Sequence, residues 1–505
     1  MIAREQEFLK AHGQFERLVE KIRQASESGR RIDEVERSLF VELLLLGLTL
    51  LKAFIADAGD GDVGESLEVP QAPAQSPAAE KSPPAAAGMR TLRRLKKRRT
   101  RRYVSIFGEV KIKRYVYGTR EGQKIEAVPL DARLGLPAGE FSYVLEDWQQ
   151  RLVVKESFSE ATGDLKELLG LAPSVRAAEV MNRQMSEFAP QFRFEQPAPP
   201  AKEEAELIVF TADGKGIPMR RPVGEKAPHG RRRTKGEKAN KKQMSYVGAV
   251  YSIDRFVRTA DDVLDELARK ERAADRPRPQ HKHVLAEMTR VIEGEECNGR
   301  VSVFGELGEE ATLRSRNGRK TVVALMDGER ALWEEQEFFL PQAVGILDLF
   351  HVLERLWQAA HVFHSEKSPA AEKFVTARLR LLLEGRVGGV IGGLRQMLTK
   401  HALSKTKRKT LETVIGYFQN NRQHMKYDEY LAAGYPIGSG VAEGACRHLV
   451  KDRMEQTGMR WTVDGAQALL YLRAIYLNGD WPAFVTHRIH KEQAKLYPYK
   501  TALAP

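Results

Sequence analysis

Three stretches of the chain run through apolar, β-prone residues and end on a carboxylate: Leu207 to Asp213, Val322 to Asp327 and Val344 to Asp348, the first two followed by Gly214 and Gly328. A fourth acid, Glu443, stands near the start of an amphipathic segment that runs from Gly438-Ser439-Gly440 to Lys451. Buried strands present their ends at one rim of a sheet, so acids far apart in sequence can converge there. Converged carboxylates without matching cations repel one another, and divalent ions held by oxygen ligands remove that repulsion. The chain carries 81 Lys and Arg against 68 Asp and Glu, a net charge of +13. Acids gathered inside a basic, clustered charge distribution point to metal-dependent chemistry on nucleic-acid phosphates.

Each acid alone has an ordinary reading. Asp-Gly is a common turn dipeptide, Asp348 before Phe350-His351-Val352 suits a helix N-cap, and a lone helical Glu443 is usually solvated. Their joint order carries the argument: first strand, fourth strand, fifth strand, then a helical block and a late helix. That order predicts an RNase H-like α/β domain in which Asp213, Asp327 and Glu443 hold two Mg²⁺ ions, with Mn²⁺ able to substitute. Two ions ~3.5–4 Å apart activate the attacking oxygen and stabilise the leaving oxygen of an in-line phosphodiester displacement. His351 follows Asp348 by about one helical turn, so both can face one site. Arg447 and Lys451 lie four and eight residues after Glu443 and are expected on the same helix face, beside the metals. Arg460-Trp461 reads either as a base-stacking pair or as core.

The elements that must position these residues are legible by composition. Residues 1–65 read as helical, and the apolar stretch from Leu39 to Ala56, interrupted by Glu42 and Lys52, as a buried or oligomerising helix rather than a bilayer span. Residues 66–89 form a Pro/Ala-rich linker. Residues 90–195 open on a basic run carrying Arg93, Arg94, Lys96, Lys97, Arg98, Arg99, Arg101 and Arg102. A basic β-hairpin is expected next, over Tyr103 to Tyr117 with its turn at Gly108. Ser157 is expected to cap a helix that Gly170 ends, and Pro173-Ser174 to start a second helix carrying Arg176, Asn182, Arg183 and Gln184. That is helix-turn-helix grammar, and equally that of any helical hairpin.

Residues 205–350 and 431–480 are expected to form the α/β domain, with strands at 206–212, 244–253, 255–259, 320–326 and 343–347. A basic loop with Arg231, Arg232 and Arg233 interrupts the first two, placed to neutralise phosphates. Residues 351–430 read as an all-helical insertion and 481–505 as a tail. Only two cysteines, Cys297 and Cys446, occur, neither in a CxxC pair, which argues against a disulfide scaffold or structural zinc and fits a reducing cytoplasm.

Two blocks, Gly345 to Trp357 (GILDLFHVLERLW) and Tyr435 to Trp461 (YPIGSGVAEGACRHLVKDRMEQTGMRW), carry a resemblance. Over roughly residues 90 to 500 the chain resembles the DDE transposases of bacterial insertion sequences, most closely the ISKra family, related to Mutator-like and ISL-type groups. The resemblance implies Asp213, Asp327 and Glu443 as the catalytic acids, and Asp348 with His351 as a D-x-x-H element. Asp348 is the alternative to Asp327 as second metal ligand. It further implies double-stranded DNA as partner, both transposon ends and target, a homodimer or higher oligomer on that DNA, and a cytoplasmic, nucleoid-associated protein. An RNase H-like nuclease or resolvase, and a catalytically dead DNA-binding regulator, are the competing readings.

Overall fold

The computed structural model describes residues 2–70, 88–220, 242–268, 276–316, 318–456 and 458–503. Arg231, Arg232, Arg233 and most of the expected Pro/Ala linker lie outside the described residues. The chain divides into two compact units, Met1–Phe192 with Trp481–Pro505, and Arg193–Asp480.

The first unit begins with α1 (Ile2–Glu27) and α2 (Ile32–Asp57), packed side by side. Among the described residues α2 is the helix long and apolar enough to cross a membrane by length and composition, and 11% of its most apolar window is buried. Next come β1 (Ser66–Pro70) and β2 (Met89–Arg94), which pair antiparallel. The first five residues of the expected linker are therefore strand: alternate Leu67 and Val69 bury on one face, as a half-buried strand requires. β3 (Arg99–Ser105) and β4 (Gly108–Arg114) form the hairpin, turning at Gly108 with φ 136°. It opens four residues earlier than expected because Arg99 to Arg102, the end of the basic run, pair across to Arg114–Lys111. The short β5 (Tyr117–Gly118) completes a sheet with β1 and β2.

Helices α3 (Pro129–Leu134) and α4 (Tyr143–Val153) lead into the expected helical pair. α5 (Phe158–Leu169) starts on a capping box in which the Ser157 hydroxyl accepts from Glu160 N–H and the Glu160 carboxylate from Ser157 N–H. Gly170, with φ 70°, ends it. α6 (Val175–Ser186) is capped by Ser174, and α7 (Ala189–Phe194) follows.

The second unit is built on a mixed five-stranded sheet, with order β12-β11-β6-β7-β8. β6 (Leu207–Pro218) and β7 (Lys242–Ile253) are long antiparallel partners. Residues 255–259 are not a strand. Phe256 and Arg258 N–H donate to the carbonyls of Gly434 and Leu431, and Thr259 caps α8 (Ala260–Leu267). The place beside β7 belongs to β8 (Gln280–Met288), whose polar first half hid it in the sequence. The hairpin β9 (Arg290–Ile292) and β10 (Glu295–Cys297) precedes α9 (Gly299–Arg314). β11 (Thr321–Met326), α10 (Arg330–Phe339) and β12 (Val344–Leu347) follow, with β11 parallel to both β6 and β12.

The expected helical block is present as α11 (Leu349–Phe363), α12 (Pro369–Leu383), α13 (Val387–Lys400), α14 (Lys405–Asn420) and α15 (Tyr427–Ala432). Its apolar faces merge with those of the sheet into one core running from Phe210 and Leu325 to Leu394 and Phe418. The helices are thus packed into the α/β unit, not appended to it. Then come α16 (Gly440–Ala445), a π-helical segment Cys446–Lys451, α17 (Asp452–Met454) and α18 (Val463–Asn478).

Residues 481–505, expected as a tail, instead open with α19 (Trp481–Leu496), which belongs to the first unit. Buried Arg488 pairs with buried Glu146, Trp481 Nε1 donates to Asp147 at 2.6 Å, and Tyr497 and Tyr499 enter the core with Leu92 and Tyr117. A charged helix surface made this segment look solvated, and a few large anchors decide otherwise.

Candidate active site

The sheet register brings the aspartates together. Phe210 pairs with Ala324 across β6 and β11, and Met326 with Leu347 across β11 and β12. Asp213 and Asp327 each lie three residues beyond the first pair; Asp327 and Asp348 each lie one beyond the second. All three therefore sit at one level at the same rim, on strands spaced ~4.8 Å apart. The next rung is partly made, since Asp348 N–H donates to Met326 O at 2.9 Å.

Asp213 does not end its strand as the sequence suggested. β6 continues through Asp213-Gly214 to Pro218 because β7 is equally long and pairs Asp213 with Val247 and Gly214 with Tyr246. Only the β11 side is vacant at that level. Oδ1 of Asp213 accepts from Gly214 N–H at 2.6 Å, and Oδ2 from the Cys446 thiol at 3.4 Å.

Asp327 follows β11 and is held on one oxygen. Its Oδ1 accepts from Gly328 N–H at 2.5 Å and from the Tyr417 hydroxyl at 2.8 Å, leaving Oδ2 without a bond among the described residues. Gly328 is required by proximity, not by a turn: a Cβ there would meet the Tyr417 ring at 2.6 Å and Asn421 Nδ2 at 2.5 Å. α14, in the helical block, therefore reaches into the site.

Asp348 differs. It is fully buried and caps α11, with Phe350 N–H donating to Oδ1 at 2.9 Å. Its Oδ2 accepts from Ser439 Oγ and faces His351 Nδ1 at 3.6 Å, an ion-pair distance rather than a hydrogen bond. The Asp348 contact, reinforced by the charges of Asp327 and Asp213, outweighs burial and pushes the His351 pKa up to about 9. The carboxylates around it thus favour the protonated form of His351.

Glu443 lies exposed on α16, which packs on β6 and β7. Desolvation raises its pKa, as do the negative charges of Asp348, Glu354 and Asp213, with His351 acting in the opposite sense. This mutual influence identifies Asp213, Asp348, His351 and Glu443 as one electrostatic cluster, joined to Asp327 through His351. Burial and the neighbouring Asp213 raise the Cys446 pKa, so its thiol remains a donor.

As arranged, no group of three or more His, Cys, Asp or Glu among the described residues stands in position to hold a metal ion. The donor set nevertheless suits a hard divalent cation. It is all carboxylate oxygen, Asp327 keeps Oδ2 open, and Glu443, raised first by desolvation, also feels neighbouring negative charge that such a cation would neutralise.

Other expected site residues divide. Arg447 and Lys451 are exposed, and Arg447 pairs with Asp452 at 3.7 Å. Glu443 is exposed as well, and the π-helical segment Cys446–Lys451, with its wider turn, carries both basic residues. Trp461 is core, its Nε1 donating to Met454 O at 3.0 Å. In the basic run, Arg94 and Arg98 pair with Asp62 and Asp60, and Arg102 with Glu109 and Glu140. Arg101 shares buried Asp131 with Arg114. Arg93, Lys96, Lys97 and Arg99 are exposed with no ion pair among the described residues. On α6, Arg176, Arg183 and Gln184 are exposed, whereas Asn182 is buried and donates to Gln150 at 2.9 Å, so it belongs to the core.

Sequence reasoning missed Tyr417, Ser439 and Cys446 as site neighbours. Ser439 and Cys446 lie inside the Tyr435 to Trp461 block; Tyr417 lies in a helix with no local signal. The chain matches no protein-family model and no curated protein.

Proposed function

We propose that the chain is a DDE transposase of the insertion-sequence type, with an RNase H-like catalytic domain carrying an all-helical insertion. The observation that carries this reading is the register of Asp213 and Asp327 at one level on neighbouring parallel strands, in a sheet ordered β12-β11-β6-β7-β8, with the Glu443 helix packed on β6 and β7. The strand order supports the fold, since a long antiparallel pair extended by two parallel strands is the layout expected for it.

In this reading Asp213, Asp327 and Glu443 hold the divalent ions, Mg²⁺ or Mn²⁺. Asp348 positions: its buried oxygens are both engaged, in the α11 cap and with Ser439. When bound, the ion pair supplies charge neutralisation at the attacking and leaving oxygens of the phosphodiester. The chain's own contribution is orientation. Gly328 N–H and the Tyr417 hydroxyl fix Asp327, the Cys446 thiol fixes one oxygen of Asp213, and His351 tempers repulsion among the acids. In cleavage, water attacks the phosphodiester at the transposon end and its 3′-oxygen leaves as a free 3′-hydroxyl; in joining, that hydroxyl attacks a target phosphorus, the new P–O bond forms as the target's own 3′-oxygen leaves, and the proton passes to solvent. Exposed Arg93, Lys96, Lys97 and Arg99 are proposed to contact DNA backbone, and Arg176 and Arg183 the end sequence, placing the protein on DNA in the cytoplasm.

The test is strand transfer with oligonucleotides carrying the element's ends, in Mg²⁺ and in Mn²⁺. Joined products support the proposal. Hydrolysis without joining selects a nuclease, and binding without either selects a regulator.

A further inference from the structure

The helical hairpin at the start of the chain leaves an apolar surface that the first unit does not cover. α2 is 26 residues long and carries one charge, Glu42, from Leu39 to Leu51, yet only Ala53 and Ile55 on the helix are buried. A helix apolar all round is ordinarily an interior helix. On α1 the apolar residues fall into two stripes of period seven. Ala11, Leu18 and Ala25 are buried, whereas Phe8, Phe15 and Ile22 are 46%, 53% and 36% exposed. A seven-residue period keeps one stripe facing a partner along the whole helix, which is the geometry of helices packed nearly parallel or antiparallel.

The register within the hairpin aligns this stripe with α2. Thr49 Oγ1 donates to Gln14 Oε1 at 2.7 Å, and Lys21 pairs with Glu42. Both contacts join residues whose numbers sum to 63, so antiparallel pairing sets Ile22 level with Val41, Phe8 within one residue of the level of Phe54 and Phe15 within two residues of the level of Leu50. Phe54, Leu50 and Val41 are themselves 60%, 46% and 56% exposed. The outcome is three apolar groups along the hairpin, two helical turns or ~11 Å apart on α1 and less evenly spaced on α2.

We infer that this hairpin docks on the same hairpin of a second copy of the chain, forming a four-helix bundle. The area fits. With the neighbouring exposed apolar side chains, at roughly 60–100 Å² each, the surface amounts to about 600–800 Å² per copy, close to the ~800 Å² per partner of a standard interface. A two-fold arrangement sets identical stripes against each other, so one sequence supplies both halves of the seam. A bilayer is a poorer occupant. α1 lies along α2 and brings Glu16, Glu20, Lys21 and Arg23 with it, charges that lipid would have to accept or peel away. α2 is also tied to the β3–β4 turn, where a Cβ at Gly47 would meet the Phe107 ring at 2.6 Å. This inference does not rest on the DNA chemistry proposed above.

The experiment is sedimentation of the full chain without DNA, at roughly 1–50 µM. The expected species is twice the 57.0 kDa chain mass, and its melting temperature should rise with protein concentration, as association requires. Phe15→Asp with Leu50→Asp should give a monomer of unchanged helicity, while Phe338→Asp, at a 77% exposed site on α10, should leave the dimer intact. A wild-type monomer with a concentration-independent melt overturns the inference, whether or not the double variant folds. So does a double variant that remains dimeric. Flotation of a monomeric wild-type chain with phosphatidylglycerol vesicles would assign the surface to membrane instead.

Discussion

The hydroxyl of Tyr417 donates to Oδ1 of Asp327 at 2.8 Å across ninety residues of chain. This bond links a helix of the all-helical block to the acid that follows β11, and with Gly328 N–H it fixes which oxygen of Asp327 stays open. Burial and the adjacent carboxylate raise the Tyr417 pKa, so the phenol stays protonated as a donor across the working pH range.

Tyr417→Phe removes that donor and little volume. A hydrogen bond to a charged group contributes about 1.5–3 kcal/mol, and lost orientation of Asp327 should slow DNA cleavage by roughly 10- to 100-fold. The melting temperature should move little, because Gly328 N–H still serves the carboxylate. Single-turnover cleavage of an end-containing duplex measures this, and a wild-type rate would show that Gly328 alone orients Asp327.

The acids separate by burial. Asp213→Asn, Asp327→Asn and Glu443→Gln should each abolish cleavage and joining while gel shifts on the same DNA are retained. Asp348→Asn, whose amide oxygen can still cap α11, should instead leave measurable turnover, and Asp348→Ala should lower stability by about 0.5–2 kcal/mol, the scale of a missing N-cap. Loss of turnover in Asp348→Asn at full stability, with activity surviving in Asp327→Asn, would exchange their roles. Chelation by EDTA should stop catalysis in the wild type and leave DNA binding.

The basic run should divide into two behaviours. Neutralising Arg93, Lys96, Lys97 and Arg99 should reduce the slope of log K against log salt by about 0.9 for each DNA phosphate that is no longer neutralised, at unchanged stability. Arg101→Gln should act on folding, since it leaves Asp131, 3% exposed, short of one of two guanidinium partners. Breaking a buried pair typically costs ~3–5 kcal/mol, reduced here because Arg114 remains. An unchanged salt slope in the fourfold variant removes the electrostatic role.

A pH effect on stability follows from His283, bonded to Glu310 beside α9. Burial pulls its pKa down, but the bond to Glu310 and that residue's charge override this and leave it raised from 6.5. A raised folded pKa means the contribution is complete below about 6.5 and disappears as pH climbs through the folded value. Glu310 is lowered from 4.5, so its share fades as pH falls below that value. Urea unfolding of the full chain should therefore show stability declining from pH 6.5 toward pH 9, with His283→Gln flatter over that interval. A parallel slope in the variant would locate the effect elsewhere.

Local pattern alone determined much of this protein. Apolar runs marked β6, β11 and β12, Ser157 and Gly170 bounded α5, and the Asp-Gly steps marked the rim, because periodicity and capping are properties of neighbours in sequence. The tertiary structure decided what depends on distant partners. β8 was hidden because its polar residues find buried mates, Glu287 with Arg193 and His283 with Glu310. The 255–259 segment is β-prone but directs its backbone hydrogen bonds to residues 431–434, and α19 is secured by Glu146 and Asp147, more than 300 residues away in sequence. Likewise no spacing rule separates Asp327 from Asp348. One keeps an oxygen open while the other is sealed under Ser439, and that difference arises only when α14 and the 438–440 turn close on the sheet.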